Sequence, residues 1–500
     1  MATLLKPKKI NNLGLRGVIR PAEVDDILIP DEAVTDVQNF HFDRKGVSSI
    51  RPGLTGLGST VLASKPATGL HNVQSATAVV VFSNGSSSTI YSYGTSSAAG
   101  AWAVSLDGGT ASVRVRFVDF GSFTVAINFI YNTYSSMRFW DGGSRAWRFT
   151  GNPINPQNMW GVAPQFGEVY KSRIYLGGDT VANGSGQNGS NKSRLFFSSV
   201  ISSTGNITWT PNSDYVDINP GDGEDMTGLK RYSLELLVFK PNYTYRFRTS
   251  GLDPDPLIRI GTRSQESVVE GKRGVYWHHE SGFYRYSGGY PIEISRPISD
   301  IVLAIPYTQY DDIIAWRDDD HIYWSLGTIT VTETKYSTTY KNMVVRYTES
   351  SEVWTMYSYP SDIRAGITYN NMSTISRIVA NDYGNVATYN SGTTDLGEPI
   401  KSRLRTKWYE WEEIGERKVI DDMVVICEKA QTLEIMYQVD EDQEWHSIGQ
   451  MTKLITFFRN KSIRFYRIRF MILAITRFES SIFRGIEILK GVNEGIVTNG

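Results

Sequence analysis

The sequence predicts an all-β protein: a β-propeller-like domain of about 6–7 blades, with an N-terminal arm and hairpin before it and a C-terminal antiparallel β-sandwich after it. Three observations predict this. Period-two runs of apolar residues recur along nearly the whole chain, while helical periodicity is almost absent. With 28 Tyr, 12 Trp and 45 Gly, the composition suits short strands joined by tight turns and fits helices poorly. Hairpin-like units also recur roughly every 30–50 residues through the middle of the chain, the interval of propeller blades. A closed ring of blades accommodates 500 residues without the single oversized core that one sandwich would need.

Residues 1–66 read as an arm, a short helix and a hairpin. "GLRGVIRP" supplies the arm, and "DEAVTDVQNF" (Asp31 to Phe40) is the best candidate in the chain for a short helix. The hairpin follows, with Asp43-Arg44-Lys45-Gly46 at its reversal, where Gly46 is free to take positive φ. Arg51-Pro52-Gly53 then ends the second strand, because proline cannot donate to a ladder and glycine permits the bend. Asn39, Gly46, Arg51, Pro52 and Gly53 are the candidate assembly or structural residues. Two readings of this hairpin stand side by side. It caps the first blade, or it leads into the propeller while touching a neighbouring subunit or the ring above.

Residues 67–397 carry the blades. "TAVVVFSNGSSSTIYSYG" turns at Asn84-Gly85 and "ASVRVRFVDFGSFTVAINF" at Phe120-Gly121-Ser122. Later hairpins reverse at Pro241-Asn242, Glu280-Ser281-Gly282, Asp318-Asp319-Asp320, Glu349 to Glu352 and Asp382-Tyr383-Gly384. The polar stretch "DTVANGSGQNGSNK" has nothing to bury and reads as a solvated or partner-ordered loop.

Residues 398–500 change in character. Positions 408–445 hold twelve acids and three bases, and positions 453–490 hold nine bases and two acids. "VIDDMVVICE", "TLEIMYQVD", "SIRFYRIRFMILAI" and "SSIFRGIEIL" alternate as strands of a small sandwich. In "RFYRIRF", Arg464, Arg467 and Arg469 stand among aromatics, a pattern compatible with nucleic-acid contact. The matching acidic stretch favours charge pairing within the domain or between subunits, and two surfaces of opposite sign suit a head-to-tail contact.

The chemistry-bearing residues do not converge. A formal net charge of −1 gives no global electrostatic case for nucleic acid or membrane. The single cysteine, Cys427, excludes an internal disulfide and a thiolate metal cluster. His278 and His279 are adjacent and point to opposite faces of a strand, which makes a poor chelate. Asp318-Asp319-Asp320 lacks the alternation and glycine of a calcium loop and reads as a solvated turn. No nucleophile elbow, Walker A loop or dinucleotide fingerprint occurs in context. The expectation is therefore no catalytic residue, no metal, no cofactor and no enzyme activity. No run reaches the ~20 apolar residues of a spanning helix, and "MATLLKPKKINN" lacks the apolar core of a signal peptide.

The N-terminal pattern resembles that of the tail nozzle proteins of short-tailed bacteriophages, also called tail tubular protein B or packaged-DNA stabilisation proteins. The resemblance lies in "GLRGVIRP", "IPDEAVTDVQNF" and "DRKGVSSIRPG". "GEDMTGLKRYSLELLVFK" and "GVYWHHESGFYRYSGG" are similar to the family's mid-propeller strands, and "IKSRLRTKWYEWEEIGERKVIDDMVVI" to its passage into the C-terminal sandwich. The resemblance implies a virion structural protein made in the host bacterial cytoplasm. It implies a homo-oligomeric ring, a hexamer in the family, around the DNA exit channel, which retains the genome and serves its ejection. The implied partners are the adaptor or portal complex, tail fibre or spike proteins, and phage DNA passing without sequence preference. The alternative is a carbohydrate-binding or glycan-cleaving propeller, with Trp277, Trp316, Trp324 and Trp354 as aromatic platforms.

Overall fold

A computed structural model describes residues 3–495, except 21–27, 43–45, 59–64, 74–76, 84–86, 94–101, 111–112, 122, 133–134, 142–145, 149–161, 180–191, 203–205, 249–253, 333–336, 372–373, 412–414, 429–432, 441, 452 and 477–481. Described structure is almost entirely β. Six four-stranded antiparallel sheets stand as separate propeller blades. Their first strands are Ala67–Val73, Arg116–Phe120, Phe166–Tyr170, Gly228–Tyr232, Val269–Glu270 and Ile314–Asp318. A further set, Ile363–Asn371, Thr374–Asn381 and Val386–Tyr389, is completed to four strands by the N-terminal strand Leu54–Gly56. Its first strand lies between those of the sixth blade and the first, so the ring closes. Closure of this kind hides the edges that an open stack of sheets would expose.

The predicted reversals at Glu280 to Gly282, Asp318 to Asp320, Glu349 to Glu352 and Asp382 to Gly384 all fall between paired strands. Asn84-Gly85 and the "DTVANGSGQNGSNK" loop lie outside the described residues, apart from Asp179 and Lys192. Blade cores are aromatic. Trp316 stacks on Tyr323 with ring centres 5.2 Å apart, and Phe283 lies 4.6 Å from Trp324 and 5.4 Å from Trp354. The first strands converge on the axis, and at Gly69 they come too close for a side chain. A Cβ at Gly69 would stand 2.4 Å from the carbonyl oxygen of Val115 in the next blade.

Two sheets form the sandwich. One runs Ile455–Phe458, Arg417–Cys427, Ile482–Gly495, Ser48–Ile50 and Phe40–Phe42, with Thr3–Leu4 and Lys8–Asn11 also paired on Ile482–Gly495. The other joins Glu398–Thr406, Ile468–Thr476, Leu433–Val439 and His446–Met451, with Val34–Gln38 on Glu398–Thr406. It continues through Thr394–Asp395 into the completed last blade. The N-terminal residues are thus woven into both the sandwich and the propeller. One core runs through this junction, from Phe283, Trp324 and Trp354 to Leu404, Ile435, Ile472 and Ile486.

Where the sequence predicts a helix in Asp31 to Phe40, the chain forms a strand, Val34–Gln38. Ala33, Val34, Val37 and Phe40 are buried at a spacing that mimics a helix, but Thr35 and Asp36 are buried as well. A strand covered on both faces loses its alternation. Backbone pairing with Arg403 to Thr406, plus a bond from Thr35 Oγ1 to the carbonyl of Thr406 at 2.9 Å, decides for the strand.

Candidate functional site

The signature residues meet at the junction of propeller and sandwich. Asn39 sits in the left-handed region at φ 62°, which asparagine tolerates better than most residues. From there its side chain reaches three structural units. Its Oδ1 accepts from Arg51 Nε and from the Ser358 amide, both at 2.8 Å, and its Nδ2 donates to the carbonyl of Lys401 at 2.7 Å. Ser358 ends the outer strand of blade six, while Lys401 belongs to the sandwich.

Arg51 is fully buried and uses its whole fork. Nη1 donates to Asp395 Oδ1 at 2.9 Å and Nη2 to Asp395 Oδ2 at 2.6 Å. Nη2 also donates to the carbonyl of Ser358 at 2.7 Å and Nη1 to that of Pro52 at 3.0 Å. Tyr359 lies under the guanidinium, 4.1 Å from its carbon to the ring centre. Burial works against the charge, yet Tyr359 and Asp395 outweigh it and raise the arginine's pKa above its ordinary value. This arrangement is geometrically demanding, and lysine, with three donors on one nitrogen, cannot meet all five acceptors that the fork serves.

Pro52 and Gly53 turn the chain from the sandwich into the last blade. The Gly53 amide donates to the Gly392 carbonyl and its own carbonyl accepts from the Ser391 amide, each at 3.0 Å. A Cβ there would stand 1.9 Å from the carbonyl oxygen of Thr394, so no other residue fits. Gly46 has φ 75°, as the turn reading requires, and a Cβ on it would come within 2.8 Å of the Asn12 carbonyl oxygen. The turn residues Asp43, Arg44 and Lys45 lie outside the described residues. All five candidate residues therefore sit in contacts within the chain.

A second buried ionic group, absent from the sequence reading, fastens the same junction. Arg20 Nε donates to Asp300 Oδ2 at 2.6 Å and its Nη1 to the Tyr340 hydroxyl at 3.0 Å. Tyr340 in turn donates to Asp36 Oδ1 at 2.8 Å, and Arg403 Nη2 lies 2.8 Å from Asp36 Oδ2. Burial disfavours the charge on Asp36, but Arg403, Arg405 and Arg20 outweigh it and hold the carboxylate below its usual range. The clue in the sequence was an Asp between Val34 and Val37, which are both buried.

At the propeller axis the first strands and the Gln265–Ser267 turn line a cavity of about 360 Å³ that is open to solvent. Its charges are matched. Arg116 Nε lies 2.6 Å from Glu266 Oε1, Lys230 lies 3.5 Å from Glu168, and Arg114 and Arg364 share Asp312 at 3.2 and 3.3 Å. Burial opposes the charge on Glu266, but Arg116 and Arg114 keep its carboxylate below the usual range. Among the described residues no group of three or more His, Cys, Asp and Glu is placed to hold a metal ion, and no helix is long and apolar enough to cross a membrane.

Trp277, Trp316, Trp324 and Trp354 are all core residues, which removes them as exposed aromatic platforms. His278 is buried, while His279 bonds Ser281 through Nδ1 at 2.7 Å. In the sandwich, Arg484 pairs with Glu428, and Arg417 and Arg464 both approach Glu494 at 3.6 Å. Arg467 and Arg469 lie over Trp408, 4.8 and 4.4 Å from its ring. Part of the opposite charge thus pairs within the sandwich, and these two arginines of the "RFYRIRF" run are engaged by aromatic rings.

No protein-family model matches the chain, and no curated protein sequence matches it. Two solved structures of virginiamycin B lyase from Staphylococcus aureus have similar folds. The selenomethionine form is 12% identical with a TM-score of 0.41, and a catalytically inactive variant with quinupristin is 11% identical with a TM-score of 0.42. Each alignment covers 67% of this chain and 98% of the other.

Proposed function

We propose that this chain is a structural subunit of the tail nozzle of a short-tailed bacteriophage. Copies form a ring, a hexamer as in the family, around the DNA exit channel below the portal and adaptor, retain the packaged genome and give it a path out. The observation that carries this reading is the N-terminal Asn39 to Gly53 segment. Its sequence resembles the family's, and its least replaceable residues, Asn39, Arg51 and Gly53, join propeller and sandwich into one body. A ring subunit that bears internal pressure needs such a junction, because two loosely linked domains would yield at the linker. The matched charges at the propeller axis further support a structural over a catalytic role.

Purified protein tests this by size and shape. A ring-shaped oligomer, alone or on a portal–adaptor complex, is the expected result. A monomer that binds or cleaves glycans and never joins such a complex would overturn it.

A further inference from the structure

Strand Ile455–Phe458 forms the margin of the first sandwich sheet and pairs only with Met423 to Ile426 among the described residues. Phe458 enters the core, while Ile455 and Phe457 face solvent at 52% and 55% exposure beside the equally open Leu454. Natural sheets guard such margins with charge or a covering element, and this one offers unpaired backbone together with apolar side chains. Its rim is basic. Lys453 and Arg459 make no ion pair among the described residues, and Arg459 lies 5.7 Å from the Phe457 ring.

A complementary margin stands elsewhere on the same chain. The outer strand of blade five, Ile292–Glu293, pairs only with Tyr284 and Arg285 among the described residues. Tyr290 and Ile292 are exposed at 79% and 47%. Glu293 and the nearby turn residue Glu280 have no ion pair among the described residues. One margin is apolar and carries two unpaired bases, Lys453 and Arg459; the other is apolar and carries two unpaired acids, Glu280 and Glu293, among the described residues.

We propose that these two margins meet between copies, with Leu454 to Arg459 of one subunit seated on Tyr290 to Glu293 of the next. This rests on the ring reading and names the surfaces that build the ring. Because the two surfaces differ, the contact is heterologous and repeats head to tail until it closes. Opposite rim charges set the register and reject like margins, while the apolar centres supply the burial. A second copy is the occupant favoured because this chain carries both halves of the pair.

Charge exchange tests the pairing. Arg459→Glu and Glu293→Arg should each raise the protein concentration needed for assembly about tenfold or more, and the double variant should recover assembly. Phe457→Asp should give a folded subunit, with an unchanged circular dichroism spectrum, that stays monomeric. If wild type forms rings and all of these variants do too, the proposed contact is wrong while the ring reading stands. A wild type that remains monomeric at every concentration and with a portal–adaptor complex overturns both.

Discussion

Arg51 and Asp395, 344 positions apart, form a buried bidentate ion pair at 2.9 and 2.6 Å. One residue comes from the N-terminal hairpin and the other from the link between last blade and sandwich, so the pair ties the beginning of the chain to the entrance of the sandwich.

Arg51→Met leaves Asp395 buried without its cation, and should cost about 3–5 kcal/mol of stability. Arg51→Lys should recover only part, because an ammonium has three donors for the five acceptors the guanidinium serves: both Asp395 oxygens, the Ser358 and Pro52 carbonyls and Asn39 Oδ1. The double variant Arg51→Met with Asp395→Leu should be less damaged than Arg51→Met alone. Urea unfolding of the three variants checks the order.

Gly53→Ala places a methyl group against the Thr394 carbonyl, 1.9 Å from its ideal position. The backbone must shift, at a cost of about 1–3 kcal/mol or more. Gly56→Ala, with no atom nearer than 3.6 Å, should be nearly neutral by comparison. Thermal melts of the two variants measure the contrast.

Three histidines make stability fall in mild acid. Burial, then Arg346 and His321, press His41 down to about 2. Burial and His279 hold His278 at about 3, and burial and Arg346 hold His321 at about 3. Each folded value lies below the unfolded value near 6.5. The folded rings stay neutral while the unfolded ones take up protons, so this stabilisation is whole above pH ~6.5 and declines as pH falls towards 3. The slope is about 1.4 kcal/mol per pH unit for each histidine. Urea midpoints at pH ~7.5 and ~5 should therefore differ, and His278→Phe should reduce the slope by about one proton. A flat profile would mean the rings are already hydrated in the folded state.

Truncation separates the arm's parts. Removing residues 1–56 strips the strands on the sandwich sheets and the strand Leu54–Gly56 that completes the last blade. That variant should be insoluble, beyond any failure to assemble. Removing residues 1–6 deletes the pairing of Thr3 and Leu4 with Asn493 and Val492 and the bond from the Leu5 amide to the Gly491 carbonyl, a short margin of one sheet, and should leave a folded protein. Soluble yield and circular dichroism distinguish the two.

The propeller was legible because each blade repeats a signal that needs no distant partner: alternating aromatics around a polar turn. Turns such as Asp318 to Asp320 therefore fell where the sequence placed them. The junction was not legible in the same way. Val34–Gln38 is buried on both faces, so its alternation disappears, and Asp36 survives there only because arginines at positions 20, 403 and 405 surround it. Asn39, Arg51 and Gly53 could be singled out by pattern, but their partners Ser358, Asp395 and Thr394 lie more than 300 residues away. No local rule links such positions.

The ring is the central claim, and single-particle imaging of the purified protein, alone and mixed with a portal–adaptor complex, tests it most directly. The predicted result is a closed ring of identical subunits with an open central channel, seated on the complex along its axis. Isolated monomers in both samples would contradict it.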